Sequence, residues 1–359
     1  ISPTGLVTWT PSLSELGTVP TPTIVATRDG ETATQAWTLR VHQGVRMGVT
    51  LSPRGHTNAS TEQDYLNHFQ NRSNGKVVAF HGKWRDSVSS AGSIPALALL
   101  ALSESKKNGY IPVIGLGWSD GNGSPDLTSD SNSDNSWNNP ETRSEFLAMV
   151  EALARDHAPS YLFLGNEVNS YYVTHSQGEW TKWIEVYQAA YDVIKAASPS
   201  TFVFTTFNLE KMAGGGAKNG WAYAPHWQLI ADHGSKLDGV GFTSYPYFDF
   251  DTPSAISADY YTRIESYWTG PLLFTELGWK ASATVPYAGS EADQAAFVSR
   301  FFELTGQVDL EYVAWLFEHD WHNQASVPAF IDIGFKDNLG NQTRMAATRW
   351  AEAVSLRER

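Results

Sequence analysis

Short apolar runs alternate with amphipathic segments along most of this chain. Eight runs are rich in β-branched and aromatic residues and show little polar alternation, which is typical of strands buried on both faces of a parallel sheet. The runs are VRMGVTL (45–51), KVVAFHG (76–82), YIPVIGLG (110–117), YLFLGN (161–166), TFVFTTF (201–207), LDGVGFTS (237–244), PLLFTE (271–276) and YVAWLF (312–317).

Helical patterns separate these runs. Pro140 begins one amphipathic segment, and Ser290 followed by Asp293 forms a capping-box pattern ahead of another. Eight strand–helix units of roughly 30 to 45 residues predict an α/β fold, a (β/α)8 TIM barrel over residues 45–359. A doubly wound open sheet is the alternative. It usually has fewer strands and often a Gly-rich nucleotide turn, and neither GxGxxG nor GxxxxGK[ST] occurs here.

Residues 1–44 follow a different pattern, because four prolines and many Thr and Ser residues interrupt them. Two short runs, TPTIVATR and TQAWTLRV, have the composition of strands. We predict a short N-terminal extension that contains a hairpin packed on the barrel.

Composition narrows the classes of partner. Lys and Arg number 25 and Asp and Glu 38, so the net charge is −13, which disfavours nucleic acid and anionic lipid and suits neutral ligands. The chain has no cysteine and no apolar run of the roughly 18 residues that a membrane span needs. It begins at Ile1 without a leader, which fits removal of a signal peptide or trimming, and we expect a secreted monomer.

Aromatic residues are abundant, with 14 Trp, 15 Tyr and 17 Phe. An indole presents a flat apolar face and one N–H donor, which matches the C–H face and polar rim of a sugar ring. Most of these side chains are expected to fill the core, but some could bind carbohydrate.

Two of the predicted strands end in a carboxylate. Glu167 follows the fourth run and Glu276 ends the seventh, so both are expected at the carboxyl face of the barrel, where barrel enzymes have their active sites. Two carboxyl groups about 5–5.5 Å apart suit double displacement at an anomeric carbon, with one as nucleophile and the other as acid and then base. The charge of one carboxylate should raise the pKa of the other.

The pairing resembles the 4/7 superfamily (clan A) of retaining (β/α)8 glycoside hydrolases. The sequence motifs around the two carboxylates resemble those of the β-1,3-glucanase and β-1,4-galactanase families. The resemblance implies that Glu167 is the acid/base, Glu276 the nucleophile, and Asn166 a ligand of the sugar 2-hydroxyl. By the same resemblance, Tyr245 in GFTSYPYF would hydrogen-bond the nucleophile, and Trp315 in VAWLFEHDW would form the floor of the subsite for the cleaved sugar.

Further candidate substrate-binding residues follow from their position along the predicted strands. His81 ends strand two, Trp118 follows strand three and Trp279 lies just beyond the nucleophile. Arg46 on strand one could hold Glu276 ionised. No cofactor and no catalytic metal are expected.

Two segments could be read as metal sites, but other readings are simpler. EHDWH (318–322) more plausibly orders its loop or binds substrate hydroxyls, since strand one lacks the His-x-His of barrel metallohydrolases. The Asp-rich loop 120–140 lacks EF-hand spacing, and a solvated loop is simpler than a calcium site.

We therefore predict a retaining hydrolase of a neutral β-linked polysaccharide or oligosaccharide. A non-catalytic carbohydrate-binding barrel would keep the Trp surfaces but would not need both carboxylates. A transglycosylase of the same clan would use the same groups and pass the glycosyl unit to another sugar. A metal-dependent barrel enzyme would lose activity to a chelator.

Overall fold

The computed structural model describes residues 21–36, 44–57, 60–70, 75–85, 93–128, 134–321 and 327–358. The chain divides into two compact units, Ile1–Gly44 with Arg359, and Val45–Glu358.

The first unit contains an antiparallel hairpin, in which β1 (Thr23–Arg28) pairs with β2 (Glu31–Ala36). The turn residues Asp29 and Gly30 both have positive φ, 51° and 85°, as a two-residue type I′ turn requires, and Asp-Gly is a favoured pair there. The second predicted strand run extends past Ala36 into residues 37–41, which lie outside the described part of the chain. Packing of this unit on the barrel stays a prediction.

The second unit is built on one sheet of nine parallel strand segments. Each segment overlaps one of the eight predicted runs, with bounds that differ by a few residues. The segments are β3 (Arg46–Thr50), β4 (Val77–Lys83), β5 (Ile111–Gly117), β6 (Tyr161–Leu164), β7 (Phe202–Phe204), β8 (Thr206–Asn208), β9 (Val240–Ser244), β10 (Leu272–Leu277) and β13 (Leu310–Trp315).

Strand five is split at Thr205 into β7 and β8, and this split closes the barrel. β7 pairs with β6 at one end of the sheet, and β8 pairs with β9 at the other. Because β7 and β8 are consecutive in the chain, the two ends of the sheet meet there. The predicted (β/α)8 barrel is confirmed, with all strands parallel and their carboxyl ends at one face.

Helices cover the outside of the sheet, and a hairpin of β11 (Ser282–Thr284) and β12 (Tyr287–Ser290) precedes α8. The helices are α1 (Glu62–Gln70), α2 (Ala96–Lys107), α3 (Pro140–His157), α4 (Val168–Thr174), α5 (Gln177–Ala197), α6 (Leu209–Met212), α7 (Gln228–Asp232), α8 (Glu291–Leu304) and α9 (Met345–Arg357).

Helix starts follow the predicted capping chemistry. The Ser290 side chain accepts a hydrogen bond from the Asp293 backbone N–H at 3.1 Å, and Pro140 is the first residue of α3. The sixth strand–helix repeat lacks its helix. Residues 245–271 instead contain short 3-10 turns, two of which begin at Pro246 and Pro253.

Two apolar clusters occupy opposite faces of the sheet. The smaller fills the barrel interior, and the larger lies between the sheet and the helices. Side chains alternate between the two along each strand, so Leu273 belongs to the inner cluster while Leu272 and Phe274 belong to the outer one.

A bulge in β10 changes this alternation before the strand ends. Phe274 pairs with Phe242 and Glu276 with the next residue, Thr243, so Thr275 is an extra residue. Without it, Glu276 would share the outward parity of Phe274. The bulge therefore turns the Glu276 side chain into the barrel mouth.

No helix in the described ranges is long and apolar enough to cross a membrane.

Candidate active site

Glu276 lies at the carboxyl end of β10 and accepts hydrogen bonds from the ends of three other strands. His81 Nδ1 is 2.8 Å from its Oε1, and Asn166 Nδ2 donates to the same oxygen at 3.1 Å. The hydroxyl of Tyr245 donates to Oε2. Only 9% of the residue is exposed, so these three donors do most of the solvation of the carboxylate.

The surroundings of Glu276 favour its ionised form. Burial alone would raise the pKa of this carboxyl, but the hydrogen bond and charge of His81 and the hydrogen bonds from Tyr245 and Asn166 outweigh burial. The pKa of Glu276 is consequently lowered, and the group is a carboxylate near neutral pH.

Glu167 follows β6 and caps α4 in a left-handed backbone conformation, with φ 50° and ψ 46°. Such a conformation is rare and strained for a residue other than glycine, and strain of this kind clusters at functional sites. A hydrogen bond of 3.1 Å from the Glu167 backbone N–H to Thr206 Oγ1 holds it. The side chain accepts from Asn208 Nδ2 at 3.0 Å and from Thr243 Oγ1 at 2.6 Å.

The pKa of Glu167 shifts in the opposite direction. Burial raises it most, and the nearby charge of Glu276 raises it further. The charge of Lys211 and the hydrogen bonds from Asn208 and Thr243 oppose that rise but do not cancel it. The structure thus favours the protonated form of Glu167 and the ionised form of Glu276, which is the division of roles that acid–base chemistry needs.

Asn166 connects the Glu276 carboxylate to the backbone of Glu167. Its amide nitrogen donates to Glu276, and its amide oxygen accepts from Thr206 Oγ1 at 2.8 Å. The Thr206 hydroxyl in turn accepts from the Glu167 backbone. This chain of three hydrogen bonds links the Glu276 carboxylate to the backbone that carries Glu167.

A cavity of about 440 Å³ opens beside the carboxylates, at the ends of strands two to four. His81 and Asn166 line it together with Trp118 and Phe163. Glycine at position 115 leaves room for the Phe163 ring, because a Cβ there would lie 1.9 Å from that ring. The volume is in the range typical of small-molecule sites.

Arg46 is not part of this site, so its predicted role is wrong. It begins β3 at the amino end of the strand, whereas the carboxylates lie at carboxyl ends. Its guanidinium lies 3.8 Å from Glu311 and 5.9 Å from the Tyr161 ring centroid. His81 provides the interaction with Glu276 that Arg46 was expected to provide.

The predicted substrate contacts of two tryptophans are also wrong. Trp315 is fully buried in the outer cluster, with its Nε1 donating to the Ile333 carbonyl at 2.9 Å and its ring stacked on Phe335. Trp279 is fully buried against Phe297 and Tyr247. Neither offers a ring face to a ligand.

Trp118 lies between these cases. It lines the cavity, but only 1% of it is exposed, and it packs against Trp137 and Trp183. Its contact with substrate stays a prediction.

The two suspected metal segments have other partners. Glu318 pairs with Lys336 at 2.7 Å, and Asp320 pairs with Arg344, while residue 322 lies outside the described part of the chain. In loop 120–140, Asp120 accepts backbone hydrogen bonds from Asn122 and Ser124. Among the described residues, no group of three or more His, Cys, Asp or Glu could hold a metal.

Several site residues were missed at the sequence level. Thr206 and Asn208 end strand five, Thr243 is the second-last residue of strand six, and Lys211 follows in α6. For Thr206, Asn208 and Thr243 the signal was available, because each is a polar residue at the carboxyl end of an apolar run, like Glu167 itself. Lys211, inside a helix, carried no such signal.

Glu210 is a further buried carboxyl, 1% exposed, that supports Tyr245. Its Oε1 accepts from the Tyr245 backbone N–H at 2.8 Å and from the Tyr260 hydroxyl at 2.7 Å. Burial raises the pKa of Glu210 to about 8, against the hydrogen bonds from Tyr260 and Tyr245. Glu210 is therefore protonated at neutral pH.

This protonation predicts a pH-dependent stability that a glutamine should remove. The unfolded carboxyl ionises near 4.5 and the folded one near 8, so its stabilising contribution is complete below pH 4.5 and is lost as pH rises to 8. Between pH 5 and 8 we expect the melting temperature to fall by at least about 2 °C more in the wild type than in Glu210→Gln. An equal fall in melting temperature in the wild type and in Glu210→Gln would contradict this prediction.

Comparisons with known proteins give similarity at the level of structure alone. No protein-family model matches the chain, and no curated protein matches it. Among solved structures, an exo-β-1,4-mannosidase, Op5Man5 from Opitutaceae bacterium strain TAV5, superposes with a TM-score of 0.65 at 14% identity over 88% of this chain. This chain spans 60% of that protein's length.

Two further structures superpose similarly. The β-glycosidase from the hyperthermophile Thermosphaera aggregans has a TM-score of 0.60 at 12% identity and covers 88% of this chain and 96% of its own. A family 39 glycoside hydrolase from the gut symbiont Bacteroides cellulosilyticus WH2 has a TM-score of 0.59 at 16% identity, covering 91% of this chain and 67% of its own. The chain shares the barrel fold of these glycoside hydrolases, so the predicted resemblance holds at the level of the fold.

Proposed function

We propose that this protein is a retaining β-glycoside hydrolase that acts on a neutral β-linked polysaccharide or oligosaccharide. The observation that carries the proposal is the pair of buried carboxyls with opposed pKa shifts at the ends of strands four and seven. Asn166 links the carboxylate of Glu276 to the backbone of Glu167 through Thr206. The fold shared with several glycosidases supports it.

The reaction would proceed by double displacement. The Glu276 carboxylate attacks the anomeric carbon as the glycosidic C–O bond breaks, and Glu167 gives its proton to the departing oxygen. Water then attacks the glycosyl-enzyme ester while Glu167 takes its proton, which releases the sugar with the original anomeric configuration. Tyr245, His81 and Asn166 hold the nucleophile ionised and oriented.

The cavity and the charge distribution favour an uncharged ligand. Lys83 and Asp126 on the cavity rim form an ion pair with each other, and the chain carries a net charge of −13. An anionic glycan would meet repulsion at longer range. Secretion and a monomeric state stay predictions.

A product analysis tests the proposal. A panel of neutral β-glycans and aryl β-glycosides is incubated with the protein, and the first product is followed by proton NMR before mutarotation. We expect a β-anomeric product. An α-anomeric first product, or no cleavage of any member of the panel, would overturn the mechanism. Transfer products in the presence of added sugar acceptors would indicate a transglycosylase instead.

His81 should set the acidic limb of the pH–rate profile. Because its hydrogen bond and charge lower the pKa of Glu276, His81→Ala removes part of that support. We expect the acidic limb of kcat/KM to move up by about one pH unit, since the nucleophile must be ionised to react. His157→Ala, at the end of α3, is the control, and an unchanged acidic limb in His81→Ala would contradict the role.

A further inference from the structure

Lys211 is a lysine buried in the short helix after strand five, with 3% of the residue exposed. Its ammonium donates to the Gly121 carbonyl at 2.7 Å and to Ser170 Oγ at 2.6 Å. It also lies 4.4 Å from the centroid of the Trp221 ring. Two hydrogen bonds and a cation–π contact therefore hold the charge in one place.

The acceptors belong to two different segments beside the site. Gly121 lies in the loop after strand three, whose neighbours Asp120 and Ser124 line the cavity. Ser170 lies in α4, three residues after Glu167. Lys211 thus joins the cavity wall to the helix that follows the acid/base residue.

The buried charge has no contact ion pair to explain it. Among the described residues, no carboxylate forms a salt bridge with the Lys211 ammonium. Burying an ammonium without such a partner is unfavourable. An apolar side chain would fill the same space without that penalty. A charge held here without an ion pair can act on the site at longer range.

The Lys211 backbone N–H also donates to Asn208 Oδ1 at 2.9 Å, and Asn208 Nδ2 donates to the Glu167 carboxyl at 3.0 Å. We propose that Lys211 is a positioning residue that ties the loop after strand three, α4 and Asn208 together around Glu167 and holds a fixed positive charge among them. The inference rests on the proposed glycosidase function, in which Glu167 is the acid/base.

The electrostatics of the site agree with this role. Burial and the Glu276 charge both raise the pKa of Glu167, and the charge of Lys211 is the largest influence in the opposite direction. A proton donor works best when its pKa lies near the working pH. Without Lys211, Glu167 would hold its proton more tightly and would be a weaker acid.

The other groups around this pair do not replace the charge. Burial raises the pKa values of Tyr245 and Tyr247 well above 10, so both are neutral. Burial also lowers the pKa of His226, and the charge of Lys211 lowers it further, which favours the neutral ring. Asp120 acts on Lys211 itself, and together with Glu167 opposes the lowering of its pKa by burial.

The test compares variants that separate charge from contact. Lys211→Met and Lys211→Gln remove the charge, Lys211→Arg keeps it, and Ser170→Ala removes one acceptor but leaves the ammonium. We expect the alkaline limb of kcat/KM, which reports deprotonation of the acid, to move up by about one pH unit in both neutral variants. The limb should stay in place in Lys211→Arg and in Ser170→Ala.

A second readout does not depend on activity. The Glu167 carboxyl carbon, assigned by its absence in Glu167→Gln, is titrated by carbon-13 NMR in protein labelled at glutamate. We expect a higher midpoint in Lys211→Met and Lys211→Gln than in the wild type. Equal midpoints in the folded variants, or an equal movement in Ser170→Ala, would overturn the inference. A wild-type protein that cleaves no glycoside would instead overturn the proposed function, while the titration would still report on Lys211.

Discussion

Glu276→Ala is expected to lower kcat on β-glycosides by on the order of 10⁵-fold, because it removes the group that bonds to the anomeric carbon. The barrel should remain folded. The carboxylate lies at the end of β10 in the mouth of the barrel, and water can take its place beside His81, Asn166 and Tyr245. Circular dichroism and a melting curve check the fold, and rates on an aryl glycoside measure the loss.

An added anion sharpens this result. Azide can enter the space left by the missing side chain and attack from the same face as the nucleophile, so a single displacement should give an α-glycosyl azide. Glu352→Ala, an exposed glutamate paired with Arg349 on α9, is the matched control and should keep full activity. Wild-type rates in Glu276→Ala, or a β-glycosyl azide as its rescued product, would remove Glu276 from the nucleophile role.

The barrel could be predicted from the sequence because burial on both faces leaves a strong pattern. Strands in a parallel barrel lack polar alternation, so each becomes a short apolar run between helical segments. The position of Glu167 and Glu276 at one face then follows from the parallel order alone. The sixth strand–helix repeat departs from this pattern, since short 3-10 turns that begin at Pro246 and Pro253 stand in place of a helix.

The direction of a side chain at a strand end was much harder to predict. Tyr312 and Ala314 face the barrel interior, so Trp315 must face the helices. That parity decides whether a tryptophan is a platform or core, and an apolar run buried on both faces does not reveal it. Glu276 reaches the site only because of the bulge at Thr275, which no composition signal marks.

Depth along a strand and contacts across the barrel were also beyond the sequence. Arg46 and His81 both lie on barrel strands, yet one begins its strand and the other is near the end of its own. Strand tilt and stagger decide which ends meet across the barrel, and these are properties of the closed sheet. His81 was placed at the correct end, but its contact with Glu276 emerged only from the structure.

Glu167→Ala is expected to separate substrates by their leaving groups. A glycan whose departing alcohol needs a proton should lose on the order of 10³-fold or more in kcat/KM, the scale of general acid catalysis. An aryl glycoside with an acidic phenol should lose far less in its first step, because the phenolate departs unaided. The wild type and Glu167→Ala are therefore compared over aryl glycosides of graded phenol pKa, with Glu185→Ala as the exposed control.

Azide rescue of Glu167→Ala should give a product of the opposite anomeric configuration from azide rescue of Glu276→Ala. Without Glu167 as a base, hydrolysis of the glycosyl ester on Glu276 should be slow. Azide is a nucleophile that needs no base, so it should release the glycosyl unit as a β-glycosyl azide. The pH–rate profile should also lose its alkaline limb, since that limb reports the proton on Glu167. An equal loss on every leaving group would assign Glu167 a structural role, because only a proton donor makes the loss depend on how readily the oxygen departs.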